Sequence, residues 1–153
     1  MNPVTAFVFA LFLTGPAVAT DLSTAQEAPH PEIGPYNSQE VTLEEFLWLK
    51  RPVVVFADTP ADPRFREQMA LLEARLDALA DRDVVILTDT DPAAKSALRM
   101  KLRPRGFMLV LIGKDGGVKL RKPAPWDVRE LGRVIDKMPM RQQELRDRRK
   151  TGF

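Results

Sequence analysis

The chain has 153 residues, 44% of them hydrophobic and 29% charged, which suits one compact domain able to build its own core. It has no cysteine and a single histidine, His30, so disulfides, thiol nucleophiles, thiol redox couples and zinc sites built from thiolates or clustered histidines are excluded. The formal net charge is +2, yet Asp21 to Leu98 carries 7 Lys and Arg against 15 Asp and Glu, whereas Arg99 to Lys150 carries 16 against 6. Such asymmetry marks either an anionic partner or two halves that fold against each other and compensate.

In chain order, Val4 to Leu13 is apolar apart from Thr5, and Gly15-Pro16 and Ala17-Val18-Ala19 follow. This predicts a signal peptide over 1–19, cut between Ala19 and Thr20, because the run is too short for a bilayer span and ends in the small-x-small pattern of a cleavage site. A membrane anchor kept by the mature chain is the alternative. Thr20 to Glu40 holds Pro29, Pro31, Gly34 and Pro35 without period and reads as a flexible tether, with His30 a solvated residue inside it.

The domain is expected over 41–138. Thr42 with Glu45 makes a capping box and Val41 with Phe46 a hydrophobic staple, so a helix is predicted from Leu43 to about Lys50. Val53 to Ala57 is a short β-branched run, as in a strand buried on both faces. Asp62-Pro63 supplies an N-cap and a first-position proline for a helix with Phe65, Met69, Leu72, Leu76 and Leu79 on one stripe. Val84 to Leu87 is a second buried strand, and Asp91-Pro92 opens a helix through about Leu102. Phe107 to Ile112 is a third strand, Gly113 to Gly117 a tight hairpin connection, and Val118 to Arg121 an outer strand. Asp127 caps a helix bearing Val128, Leu131, Val134 and Ile135; Pro139 ends or kinks it, and 139–153 forms a basic, solvated C-terminal helix or tail. The fold class is therefore α/β, thioredoxin-like: a four-stranded mixed sheet ordered βαβα, then a β-hairpin, then a helix, with helices on both faces.

Three strings sharpen this. Gly113-Lys114-Asp115-Gly116-Gly117-Val118-Lys119, Ile135-Asp136-Lys137-Met138-Pro139-Met140-Arg141 and the Arg51-Pro52-Val53-Val54-Val55-Phe56 strand resemble the bacterial family named domain of unknown function 4174. The resemblance spans roughly Val41 to Glu144. It implies a cysteine-less thioredoxin-like domain, similar to that of some animal extracellular matrix proteins, and brings no enzymatic activity. Redox-active thioredoxins carry their cysteines where this chain has Asp58-Thr59-Pro60-Ala61-Asp62-Pro63. A cis-proline usual before the third strand is missing, since Gly106-Phe107 stands there.

In a sheet of this topology one edge gathers the loops Asp58 to Asp62, Thr88 to Asp91, Arg103 to Gly106 and Arg121 to Trp126. The candidate binding residues are Asp58, Asp62, Arg103, Arg105, Lys122 and Trp126, with Arg141 in addition. They form either a cleft for a polar or anionic ligand or a set of surface ion pairs. Asp62 is also explained as a helix cap, and Arg141 has the option of pairing with Asp136 or reaching back to the domain. No catalytic residue, metal site or cofactor is expected, because no loop has calcium-binding spacing and no serine has an ordered histidine to activate it. The expected function is that of an exported, periplasmic or secreted, redox-inactive binding domain. The partner is an unknown protein or an anionic ligand and not nucleic acid, and a monomer is expected. The alternatives are a thiol-independent enzyme using the Asp58 to Asp62 loop, and electrostatic attachment to a membrane surface through the basic tail.

Overall fold

The computed structural model describes residues 32–152, so the expected signal peptide, the cleavage site, His30 and most of the tether lie outside the described residues. Strands β1 (Tyr36–Asn37), β2 (Arg51–Phe56), β3 (Val84–Asp89), β4 (Met108–Ile112) and β5 (Val118–Lys122) form one sheet in the order β1-β3-β2-β4-β5. β2 and β1 run parallel to β3, β4 is antiparallel to β2, and β5 returns antiparallel to β4. The apolar runs are continuous because both faces are covered. Val53, Val55, Ile86, Leu109 and Leu111 face one core layer, and Val54, Phe56, Val85, Leu87 and Val110 face the other.

The first layer is closed by helices α1 (Pro63–Glu73), α2 (Leu76–Ala80) and α4 (Val128–Asp136), through Leu72, Leu79, Val128, Leu131 and Ile135. The second is closed by a 3-10 turn at Leu43–Phe46 and by α3 (Ala97–Leu102), through Leu43, Phe46, Leu98 and Leu102. Each fully buried aliphatic side chain contributes about 1.5–3 kcal/mol, so these two layers dominate the stability of the domain.

The sheet has five strands where four were expected. The tether reading fails for its last residues: the backbone N–H of Ile86 donates to Ile33 O (2.7 Å), that of Ser38 donates to Thr88 O (2.9 Å), and β1 covers the outer edge of β3. An uncovered edge would leave those amides unpaired beside the core. A two-residue strand among prolines has no periodic signature to read.

Helix bounds differ for similar reasons. The capping box at Thr42 forms, its N–H donating to Glu45 Oε1 at 2.7 Å, but only one 3-10 turn follows. Trp48 then takes φ 65° and donates its N–H to Lys114 O at 2.7 Å, turning the chain into β2. The long helix expected from Pro63 breaks at Arg75 (φ −139°) into α1 and α2, and both pieces keep the apolar stripe on the core. Asp91-Pro92 opens a single turn, Pro92–Ala94. The chain restarts as α3 because the Ser96 hydroxyl caps Arg99 N (3.1 Å) and donates inward to Asp89. The Asp62 and Asp127 caps form as predicted.

Pro139 does end α4, and it also begins α5 (Pro139–Thr151), which is docked through its first turns at Arg141 and Glu144, while residues 146–152 are exposed. Arg141 is 1% exposed and pairs with Asp81 at 2.7 Å. Glu144 joins Arg51 (2.8 Å) and Lys114 (2.9 Å), and Lys114 also reaches Asp83 (2.8 Å). Two of the three family-like strings thus meet the third, Arg51, in one ion-pair cluster at the end of the sheet where β2 and β3 begin.

Candidate functional site

At the opposite end of the sheet, where β2 and β3 finish, Asp89 organises the strand termini. It is 4% exposed. Its carboxylate accepts from the hydroxyls of Ser38 (2.8 Å) and Ser96, and from Arg99 Nε (3.0 Å) and Nη2 (2.7 Å). Arg99 Nη2 also donates to Ala57 O at 2.9 Å, tying the residue just after β2 to β3 and α3. Burial alone would raise the Asp89 pKa; the hydrogen bonds from Ser96, Arg99 and Ser38 and the Arg99 charge outweigh it and hold the carboxyl below the usual range.

This frame positions the loop 58–63 over the loop 103–107. Gly106 has φ 59°, a conformation that favours glycine, and a Cβ there would lie 3.9 Å from Asp58 Oδ2. The Arg64 guanidinium stands 5.6 Å over the Phe107 ring, joining α1 to the start of β4. Asp62 Oδ1 accepts from Arg64 N at 2.8 Å and its other oxygen pairs with Arg64 Nη2 at 3.3 Å, so the N-terminus of α1 is occupied by the protein's own carboxylate. Desolvation works against the charged form of Asp62, but the Arg64 backbone N–H and guanidinium prevail and lower its pKa.

On the basic side, Arg103 closes α3 in the left-handed region (φ 47°) and Arg105 follows two residues later; both are exposed. Arg121 Nη1 donates to Leu102 O at 2.7 Å and holds β5 to this loop. Lys122 Nζ lies 4.6 Å above the Trp126 ring. Trp126 is set by Gln68, which is fully buried in α1 and clamps its backbone twice, Nε2 donating to Trp126 O (3.0 Å) and Oε1 accepting from Trp126 N (2.7 Å).

Six of the seven sequence candidates, Asp58, Asp62, Arg103, Arg105, Lys122 and Trp126, therefore lie on the loops of this one end. Arg141 does not. It sits at the far end, where it reaches back to the domain: its Nη2 bonds Asp81 at 2.7 Å, while Asp136 stays at 3.6 Å from its Nε. Among the described residues the acidic side is satisfied without the basic side: Asp62 by Arg64, Asp89 by Arg99, and Asp91 by the N–H of Ala93. Arg103 and Arg105 make no ion pair or side-chain hydrogen bond among those residues.

Sequence reasoning missed Gln68, Arg64, Ser38, Ser96 and Arg99. One signal was present for Gln68, a polar residue three positions after Phe65 and four before Leu72, on the apolar stripe itself. Gln68→Leu is expected to cost about 1–2 kcal/mol, since two backbone groups lose their partners, and to redshift Trp126 emission; urea melts followed by fluorescence measure both.

The family described as domain of unknown function (DUF4174) matches residues 42–144. The chain belongs to this family. Its fold is thioredoxin-like. The chain is similar to the reduced 2-Cys peroxiredoxin of Plasmodium vivax, at 17% identity and a TM-score of 0.55 over 67% of this chain and 85% of that one. It also matches AhpC of Mycobacterium tuberculosis (19% identity, TM-score 0.45, 63% and 72% covered) and thioredoxin peroxidase I of Plasmodium yoelii (20%, 0.44, 74% and 82%). The fold assignment rests on the first, and at that identity it is a likeness of fold alone. As in the sequence expectation, no cis-proline precedes β4; among the described residues the one cis peptide is Gly34-Pro35.

Proposed function

We propose that this member of the family is an exported, redox-inactive thioredoxin-like binding domain, whose loop end receives an anionic ligand or an acidic protein surface. The observation that carries this reading is the unequal pairing at that end. Arg103 and Arg105 are exposed without a carboxylate among the described residues, beside the Lys122–Trp126 stack, while every neighbouring acid but Asp58 is engaged elsewhere. Arginine offers a planar fork to carboxylate or phosphate, and the tryptophan face adds apolar contact at low entropic cost. The absence of cysteine removes thiol chemistry from a fold whose redox members place thiols at 58–63. The enzyme alternative has less support, because Asp62 is committed to capping α1.

The test is retention of ligands from an exported-protein fraction on the immobilised domain. Arg103→Ala/Arg105→Ala is expected to lose them, and retention should weaken as salt shortens the screening length from about 10 Å at 0.1 M to about 3 Å at 1 M. An unchanged ligand set on the double variant refutes the site. Export has its own check: N-terminal sequencing of the native protein should begin at Thr20, and a retained Met1 refutes cleavage.

A further inference from the structure

A second basic feature lies outside this end and is not used by the reading above. Between α2 and α4 runs a groove of about 200 Å³ whose lining includes Arg75, Arg82, Arg129 and Arg133 against a single acid, Asp136. Two of these arginines are accounted for. Arg82 is pinned as the floor, Nε and Nη2 donating to the two oxygens of Asp136 (3.0 and 2.8 Å) and Nη1 to Ala78 O (2.7 Å). Arg133 pairs with Glu130 at 2.6 Å. Arg75 and Arg129 have no ion pair or side-chain hydrogen bond among the described residues, and both are exposed.

The remaining carboxylates of the surrounding elements do not neutralise them. Asp81 is taken by Arg141 and Arg148, and Asp127 caps α4. Asp77 is exposed on α2 and is not part of the lining. Gly132, in the middle of α4, forms part of the groove wall. Glycine is the poorest helix former after proline, and here a Cβ would stand 3.3 Å from Arg82 Nε, so the position is kept open for the guanidinium.

We propose that this groove is a binding site for a tetrahedral dianion, the phosphate group of a monoester or of a lipid headgroup. Two unpaired planar forks facing a cavity whose own acid is already neutralised suit a ligand with two charges and several acceptor oxygens better than a monoanionic carboxylate. The site is independent of Arg103 and Arg105, so the two readings stand or fall separately.

The experiment is an amide NMR titration of the protein with inorganic phosphate at constant ionic strength, with chloride as the control anion. Saturable shifts are expected at Ala78, Arg129, Gly132 and Arg133. Arg75→Ala/Arg129→Ala should weaken binding about tenfold or more, from the loss of two charged hydrogen-bonding partners, and Arg146→Ala, exposed on α5 and outside the groove lining, should leave it unchanged. The single change Arg129→Gln, at an exposed position, should weaken it severalfold and serves if the double variant is unstable. Cosedimentation with phosphatidylcholine vesicles containing phosphatidic acid, competed by phosphate, would assign the lipid source; phosphate binding without vesicle binding would assign a soluble phosphate ester. Shifts that do not saturate, or that persist equally in the Arg75 and Arg129 variants, overturn the proposal.

Discussion

Replacing Asp89 by alanine is expected to lower the unfolding free energy by about 3–5 kcal/mol, read from urea midpoints, because it strips the partner from a largely buried cation. The Arg99 side chain is 11% exposed, and it would keep only carbonyl acceptors, Ala57 O and Asp89 O. Ser38 and Ser96 would lose their acceptor at the same time. Ser38→Ala removes one neutral donor from the same network and should cost about 1 kcal/mol. The sign of the pH dependence follows from the direction of the shift. Asp89 titrates below the ordinary carboxylate range in the folded chain, so its contribution is present above the unfolded pKa of about 4 and is lost as pH falls through the lower folded value. Acid unfolding of the wild type should therefore steepen below about pH 4, and the Asp89→Ala variant should show a shallower slope there. Equal slopes would mean that the network does not form.

Glu144→Ala is the second large effect, about 3 kcal/mol by the same measurement. It removes the carboxylate that bridges Arg51 and Lys114 and lies 3.5 Å from Arg141 Nη1. Arg51 and Arg141 are each 1% exposed, and Arg51 Nε and Arg141 Nε and Nη1 are already buried without hydrogen-bond partners. Asp83 would remain as a carboxylate for Lys114 (2.8 Å), but it lies 4.0 Å from Arg51 Nη1 and does not replace the Arg51–Glu144 bond. The Glu144 pKa follows the same logic: desolvation would raise it, and the hydrogen bonds and charges of Arg51 and Lys114 bring it down. Arg146→Ala, two residues on and exposed, bonds only to Gln143 and should change stability by less than about 0.5 kcal/mol. If Glu144→Ala were as mild as Arg146→Ala, α5 would be a solvated tail after all.

Legibility differed by kind of signal. The strands β2, β3 and β4 were readable because burial on both faces forces continuous β-branched and aliphatic runs, and the Asp62 and Asp127 caps because the cap chemistry is local. The hairpin connection Gly113 to Gly117 was readable for the same reason, and Gly116 there has a φ of 79°, which favours glycine. β1 was not readable, since its pairing with β3 spans about fifty residues and its own two residues carry no pattern. The basic C-terminal helix is legible in the sequence but the docking of its first turns is not, because α5 has no apolar face; it docks through Arg141 and Glu144, and ion pairs leave no hydrophobic period.

The candidate site divides along the same line. That Asp58, Arg103, Lys122 and Trp126 share one end follows from strand order and direction, which the pattern of elements already implied. Which charges there find each other does not follow, because pairing depends on distances across the fold. Asp62 turned to Arg64 and Asp89 to Arg99, and the arginines expected opposite them were left facing outward. Local chemistry and hydrophobic periodicity, set within a few residues, determined the elements, the fold class and the loss of thiol chemistry. Tertiary structure decided the charge pairing between segments distant in sequence, since electrostatic partners are chosen by proximity in space; Asp62 with Arg64 and Glu130 with Arg133 are local pairs. In this chain the decisive pairs, Arg51 with Glu144, Arg82 with Asp136 and Arg141 with Asp81, come from segments far apart in sequence.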